Sequence, residues 1–206
     1  LAAQDLNATG QHTYLRHLKV FVRWCVAQGW IQSDLTKDVS LRRKPEKKPK
    51  AFTKAEVDQL ADAAEADWLA ACILVAAYTG IRRSEAARLT WEDVDLERRE
   101  LRVTGQTKSG KERSVPLPGR ALDALESLSG RDGYVFHLGT SRRPIHPDTI
   151  THRFLEVREA ALPEKNGYSF HSLRHSYCTW LAEAGTPVHV IQTLAGHADI
   201  STTMKY

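Results

Sequence analysis

The sequence predicts a mainly α fold with a small antiparallel β-sheet. Three observations carry this. Residues 13–30, "TYLRHLKVFVRWCVAQGW", place apolar residues at 14, 15, 18, 21, 22 and 25, a stripe of helical period. The stretch 68–78, "WLAACILVAAY", is apolar nearly all round and too short to span a membrane, so it reads as a buried core helix. Against these, "ELRVT" (100–104) and "RSVPL" (113–117) are the segments rich in β-formers.

Element by element, the first helix ends at Gly29, and "SDLTKDVSL" (33–41) follows as a turn and a short helix. The run "RRKPEKKPK" (42–50) carries six cations, one acid and two prolines, which makes it a poor helix and a linker. "TKAE" (53–56) has capping-box spacing, with Thr53 as N-cap and Glu56 reaching back. Helices are expected over 54–65 and 67–78, the second stopped by Gly80, with a short one over 84–90. "ELRVT" and "RSVPL" are joined by "GQTKSGKE", a hairpin with its turn near Ser109-Gly110. Further helices are expected near 118–128, 147–161, 171–184 and 187–195. Gly196 ends the last of these, and a final short helix starting at Ser201-Thr202 should carry Tyr206 in its first turn.

Composition narrows the function. At 206 residues, 42% apolar and 26% charged, the chain fits an ordinary globular protein. No run of 18 apolar residues and no signal-peptide pattern is visible. Cys25, Cys72 and Cys178 are far apart and odd in number, which argues against a disulfide scaffold and suits small core residues in a reducing cytoplasm. Net charge is +4 but uneven. Residues 1–52 hold ten Lys/Arg against four Asp/Glu, and residues 53–206 hold nineteen against twenty-one. The excess sits at Arg42, Arg43, Lys44, Lys47, Lys48 and Lys50, a DNA-binding set if the partner is a phosphate backbone and a solvated linker otherwise.

Several motifs could carry chemistry. In "HSLRHSY" (171–177), His171 and Arg174 share a helix face and suit an anion such as phosphate. The same stretch offers His171, His175 and Cys178 as metal ligands, but Arg174 would set a cation beside the metal, and no second cluster supplies a fourth ligand. In "YTGIRRSEAARLTW" (78–91), Arg82 and Arg83 stand at a helix junction and Glu85 could orient the Arg82 guanidinium. Lys108 and Lys111 flank the hairpin turn. "LAGHADISTTMKY" (194–206) places His197 in a turn and Tyr206 nine residues later.

Each feature is weak alone, but the ordered set resembles the catalytic domain of the tyrosine recombinase (phage integrase) family, as "TGIRRSE", "TKSGKERSVPL", "HSLRHSY" and "LAGHADISTTMKY". The resemblance runs from about Thr53 to Tyr206; residues 1–44 more loosely resemble part of the family's helical core-binding domain. It implies domains at 1–44 (partial core-binding), 45–52 (basic linker) and 53–206 (catalytic). It also implies catalytic roles for Arg82, Lys108, His171, Arg174, His197 and Tyr206, with Glu85 in support; Arg83, Lys111 and His175 fall outside the pattern.

The implied reaction is site-specific DNA cleavage and rejoining through a 3′-phosphotyrosine. Tyr206 would be the nucleophile, its phenolate favoured by two arginines, His171 the base and Lys108 the acid. No metal or nucleotide cofactor is implied. The implied partner is double-stranded DNA, with a homotetramer on two sites. Base readout is expected from 147–161, through Thr149, Thr151, His152 and Arg153. The same chemistry on one duplex would be type IB topoisomerase-like relaxation; the fold without chemistry would be a DNA-binding regulator. Starting at Leu1 and ending on Tyr206, the sequence is expected to be part of a longer protein, lacking a first core-binding helix and a segment beyond the tyrosine.

Overall fold

The computed structural model describes residues 8–41, 49–104, 112–139 and 142–206. Two compact units divide the chain, Leu1–Lys47 and Lys48–Tyr206. Among the described residues no helix is long and apolar enough to cross a membrane.

In the first unit, helix α1 spans Ala8–Ala27. It closes at Gly29 (φ 72°), whose N–H donates to Val26 while Trp30 N–H donates back to Cys25 at 3.0 Å, so the last carbonyls are satisfied. Its apolar stripe is not a core. Tyr14, Leu18 and Phe21 are all exposed, and only Cys25 of the stripe is buried. Among the described residues of this unit α1 is the one helix, and Phe21, Trp24 and Trp30 pack on one another. The short helix expected within 33–41 is a turn. The Asp34 carboxylate accepts from both Thr36 N–H (2.8 Å) and Thr36 Oγ1 (2.6 Å), a local bond that competes with helix formation.

The second unit is built around one helix. Thr53 opens α2 (Lys54–Asp62) with both halves of the expected capping box. Next comes α3 (Asp67–Thr79), the apolar stretch, buried on most sides; Cys72, Ile73, Val75 and Ala77 have no exposed surface. Each large side chain buried this way contributes about 1.5–3 kcal/mol. Gly80 closes α3 at φ 65°, and α4 (Arg83–Ala86) follows at once.

The sheet has three antiparallel strands in the order β1 (Val94–Asp95), β2 (Glu100–Val103), β3 (Arg113–Pro116). β2 and β3 are the expected hairpin, in register Leu101↔Val115 and Val103↔Arg113, and alternate Leu101, Val103 and Val115 into the core. The turn near Ser109-Gly110 lies outside the described residues. β1 was not expected, since two residues carry no period.

Helices α5 (Gly119–Glu126), α6 (Pro147–Ala161), α7 (Phe170–Glu183) and α8 (Val188–Ala195) complete the core. α3 packs against α2, α5, α6 and α7. The final helix, α9, spans Ile200–Thr203. Its cap is Asp199, whose carboxylate accepts from Ser201 N–H at 2.8 Å, so the helix starts earlier than Ser201-Thr202 and ends earlier. Tyr206 therefore lies just past α9, its N–H donating to Thr203, and not within its first turn.

Candidate active site

Two glycine junctions bring the site together. At Gly80, the Tyr177 ring of α7 packs close against the backbone; a Cβ there would stand 2.3 Å from the ring. With α7 docked this closely, Arg174, one turn back on the same face, donates through Nη1 to the Gly80 carbonyl at 2.6 Å. Arg174 is only 2% exposed, and among the described residues its Nη2 has no partner. Burial, then the nearby Arg82 charge, lowers its pKa to about 10. A buried guanidinium with an orphan N–H is poised for an anion.

Arg82 caps α4 from the other side of Gly80. Its N–H donates to Glu85 Oε2 (2.7 Å) and its Nη1 to Glu85 Oε1 (2.8 Å), while Nη2 donates to the carbonyl of Gly196, the second glycine junction. Arg83 turns away, to Asp148 (2.9 Å) and Thr151 (2.7 Å) on α6. Glu85 is thus the orienting acid for Arg82. Burial alone would raise its carboxyl; the hydrogen bonds and charge of Arg113, with the Arg82 N–H groups, outweigh this and hold it at about 2.

The histidines and Tyr206 complete the cluster. His197, next to Gly196, pairs through Nδ1 with Thr203 Oγ1 at 2.9 Å, and its ring lies parallel to that of Tyr206. Desolvation, then Arg174 and Arg82, lowers its pKa to about 4, so it is neutral near pH 7. His171 is exposed, yet also held below its ordinary pKa by desolvation, Arg174 and Arg82. Its ring meets that of His175 edge-on at 4.7 Å. The Tyr206 hydroxyl is hydrogen-bonded to His175 Nδ1. Burial, then Cys178, pushes the phenol above its ordinary pKa, with Arg174 opposing. Arg174 favours the phenolate, as expected of an arginine here, but desolvation outweighs it and Tyr206 rests as a neutral phenol.

Lys108, Lys111, Arg42, Arg43, Lys44, Lys47 and Lys48 lie outside the described residues. Lys50 is described; its ammonium reaches the Asn166 carbonyl at 3.3 Å and sits over the Tyr168 ring. On α6, Thr151 is engaged by Arg83 and Arg153 by Glu156, while His152 is exposed. Among the described residues no group of three or more His, Cys, Asp or Glu is placed to hold a metal. Cys178 is fully buried with its thiol pKa raised, the opposite of a ligating thiolate.

The phage integrase family matches residues 50–206, the span that builds this cluster. The chain belongs to that family.

Tyrosine recombinase XerD of Pseudomonas aeruginosa is 32% identical over 217 residues, covering 98% of this chain and 72% of that protein. Tyrosine recombinase XerC of Vibrio vulnificus is 32% identical over 221 residues, covering 98% and 67%. Among solved structures, the Tn1549 transposon integrase in complex with transposon right end DNA shares the fold, at TM-score 0.80 and 20% identity over 97% of this chain and 75% of that one. Like its relatives, this integrase is an enzyme of DNA strand transfer.

Two residues of the integrase cluster escape the sequence pattern. Arg113 of β3 binds Glu85 through both terminal nitrogens and donates from Nε to the Leu194 carbonyl at 2.9 Å. His175 reaches Tyr206. The sequence signal for Arg113 is faint, a single arginine after the hairpin turn. His175 is visible in "HSLRHSY" as one turn beyond His171.

Proposed function

We propose that Arg82 and Arg174 bind the scissile phosphate of duplex DNA and that Tyr206 attacks it, making this chain a site-specific recombinase. The observation that carries the proposal is the pair of guanidinium groups held on the Gly80 and Gly196 carbonyls, close enough for the Arg82 charge to lower the Arg174 pKa, with the buried Nη2 of Arg174 unpartnered among the described residues. Negative charge grows on the non-bridging oxygens as phosphorus gains its fifth ligand. Fixed cationic donors stabilise that charge without reorganising. His197 and His171, both neutral near pH 7, add hydrogen bonds at the same phosphate.

The Tyr206 Oη–phosphorus bond forms and the bond from phosphorus to the 5′ oxygen breaks. The phenol proton passes to an imidazole of the site, and Lys108 protonates the leaving 5′ oxygen. A 3′-phosphotyrosine and a free 5′ hydroxyl result. The linkage retains the energy of the broken ester, so a second 5′ hydroxyl can reverse the step and exchange strands. Metal and nucleotide cofactors have no part in this scheme. Residues 53–206 would be the catalytic domain and 1–44 part of a core-binding domain. The basic residues of 42–50 would cross the DNA backbone, positioning the duplex. Two DNA sites held by four copies would complete exchange.

The test is selection from a randomised pool of nicked suicide duplexes. The chain should form a covalent adduct, insensitive to chelator and absent in Tyr206→Phe. No adduct from any sequence would leave only a DNA-binding regulator. Relaxation of supercoiled DNA without exchange between two sites would move the assignment to a topoisomerase-like enzyme.

A further inference from the structure

We propose that His175, and not His171, is the base that takes the proton of Tyr206. The proposal rests on the function proposed above and assigns one proton within it.

Geometry carries it. The Tyr206 hydroxyl and His175 Nδ1 are hydrogen-bonded, and the two ring centroids are 5.7 Å apart. With the imidazole neutral and its proton on Nε2, the phenol is the donor and Nδ1 the acceptor. Cys178 also hydrogen-bonds the Tyr206 hydroxyl, but burial raises its thiol pKa and keeps it a neutral, weak acceptor. His197 Nδ1 is taken by Thr203 Oγ1. Arg174 Nη1 is bound to the Gly80 carbonyl. His171 lies one turn earlier on α7 and is exposed, its ring set edge-on against that of the half-buried His175. His171 is thus open to an incoming phosphate, while His175 holds the nucleophile. One face of α7 divides the labour: position 171 toward the anion, position 175 toward the phenol.

The state of the ring fits an acceptor. The groups facing His175 are His171 and Arg174 on its own helix, His197 from the turn after α8, and Lys205 and Tyr206 from the chain segment after α9. Desolvation first, then the charges of His171, Arg174 and Lys205, keeps the imidazole unprotonated, with its pKa at about 4. In this resting state transfer is uphill, because the phenol is held high and the imidazole low. A bound phosphodiester changes both. Its negative charge opposes the Arg174 and Lys205 charges that add to desolvation at His175, and the phenol proton becomes more acidic as the oxygen–phosphorus bond forms. Transfer is then concerted with attack. The Tyr206 O–H bond breaks, the Nδ1–H bond forms, and the proton returns to the phenol when a 5′ hydroxyl displaces it.

The experiment uses a duplex that gives the Tyr206-dependent adduct, in its ordinary form and with sulfur replacing the bridging 5′ oxygen at the cleavage site. A thiolate leaves without a proton, so this substrate bypasses Lys108 but still needs the phenol deprotonated. Single-turnover adduct formation by His175→Ala should fall about 100-fold or more on both substrates, and added imidazole should restore part of it. His175→Gln, which fills the site but takes no proton, should stay equally slow while binding the duplex and melting like the wild type. Lys108→Ala should be slow on the ordinary duplex and restored by sulfur. The assignment is overturned if His175→Gln cleaves within about threefold of wild type, or if sulfur restores the His175 variants. It is overturned equally if His171→Ala, and not His175→Ala, responds to imidazole. Absence of any Tyr206-dependent adduct in the wild type is a different result, and removes the proposed function itself.

Discussion

Arg113 on β3 and Glu85 on α4 meet in two parallel hydrogen bonds, Nη1 to Oε1 at 3.1 Å and Nη2 to Oε2 at 2.8 Å. Both side chains are less than a tenth exposed. Glu85 also holds Arg82, and Arg113 also holds the Leu194 carbonyl, so one carboxylate ties the sheet, α4 and the end of α8 together. The Gly196 backbone fits only because it lacks a Cβ, which would stand 2.9 Å from the Arg113 guanidinium.

Replacing Arg113 with alanine should therefore do two things. It leaves a buried carboxylate half paired, which costs about 3–5 kcal/mol, read by urea unfolding. It also frees Glu85 to shift, so Arg82 loses its fixed direction and adduct formation slows. Arg113→Lys should rescue little, because an ammonium cannot make the two parallel bonds.

Stability should fall with acid in two stages. His175 and His197 are held near pKa 4, below the ordinary histidine value of 6.5. Between those values the unfolded chain binds protons that the folded chain does not, so their contribution, full above 6.5, is lost as pH falls toward 4. Glu85 is depressed from 4.5 to about 2. Its contribution, about 3 kcal/mol, is present above 4.5 and lost between 4.5 and 2. Denaturant titrations across this range should show both stages, and Glu85→Gln should remove the lower one alone.

Gly80→Ala should be damaging out of proportion to one methyl group. The residue sits at φ 65°, and the added Cβ would overlap the Tyr177 ring. Left-handed backbone costs a non-glycine residue about 1–2 kcal/mol, and overpacking a core adds about 1–3 kcal/mol. Any relief by moving α7 also moves Arg174 away from the Gly80 carbonyl. Cleavage should therefore fall further than the melting temperature implies, as duplex binding and adduct yield measured on the folded fraction would reveal.

What was legible beforehand was local. The capping box at Thr53, the all-round apolar α3, the stops at Gly80 and Gly196 and the β2–β3 hairpin each rest on a few neighbouring residues. What was hidden was non-local. Arg113 is 28 positions from Glu85, and nothing in "KERSVPL" announces that one arginine leaves the strand to cross the site. His175 stands in the sequence only as a candidate metal ligand outside the catalytic pattern, because its partner Tyr206 is 31 residues away. The apolar stripe of α1 was correctly periodic, but period says only which residues share a face. It does not say that the face is covered.

Adjacent Arg82 and Arg83 give the sharpest comparison, since one step of backbone separates opposite fates. Arg82, 32% exposed at its side chain, is fixed by Glu85 and Gly196 beside Arg174. Arg83 forms an exposed pair with Asp148 on α6. A surface pair of this kind is worth about 0–1 kcal/mol, so Arg83→Ala should melt almost like the wild type and cleave at a similar rate. Removing a preorganised donor to a transition-state oxygen costs about 100- to 1,000-fold in rate, and Arg82→Ala should lose at least that in single-turnover adduct formation. Arg82→Lys should recover only part, since an ammonium keeps the charge but cannot serve Glu85, Gly196 and phosphate together. Equal losses in the two alanine variants would mean that the phosphate lies across both arginines and not in the pocket Arg82 shares with Arg174.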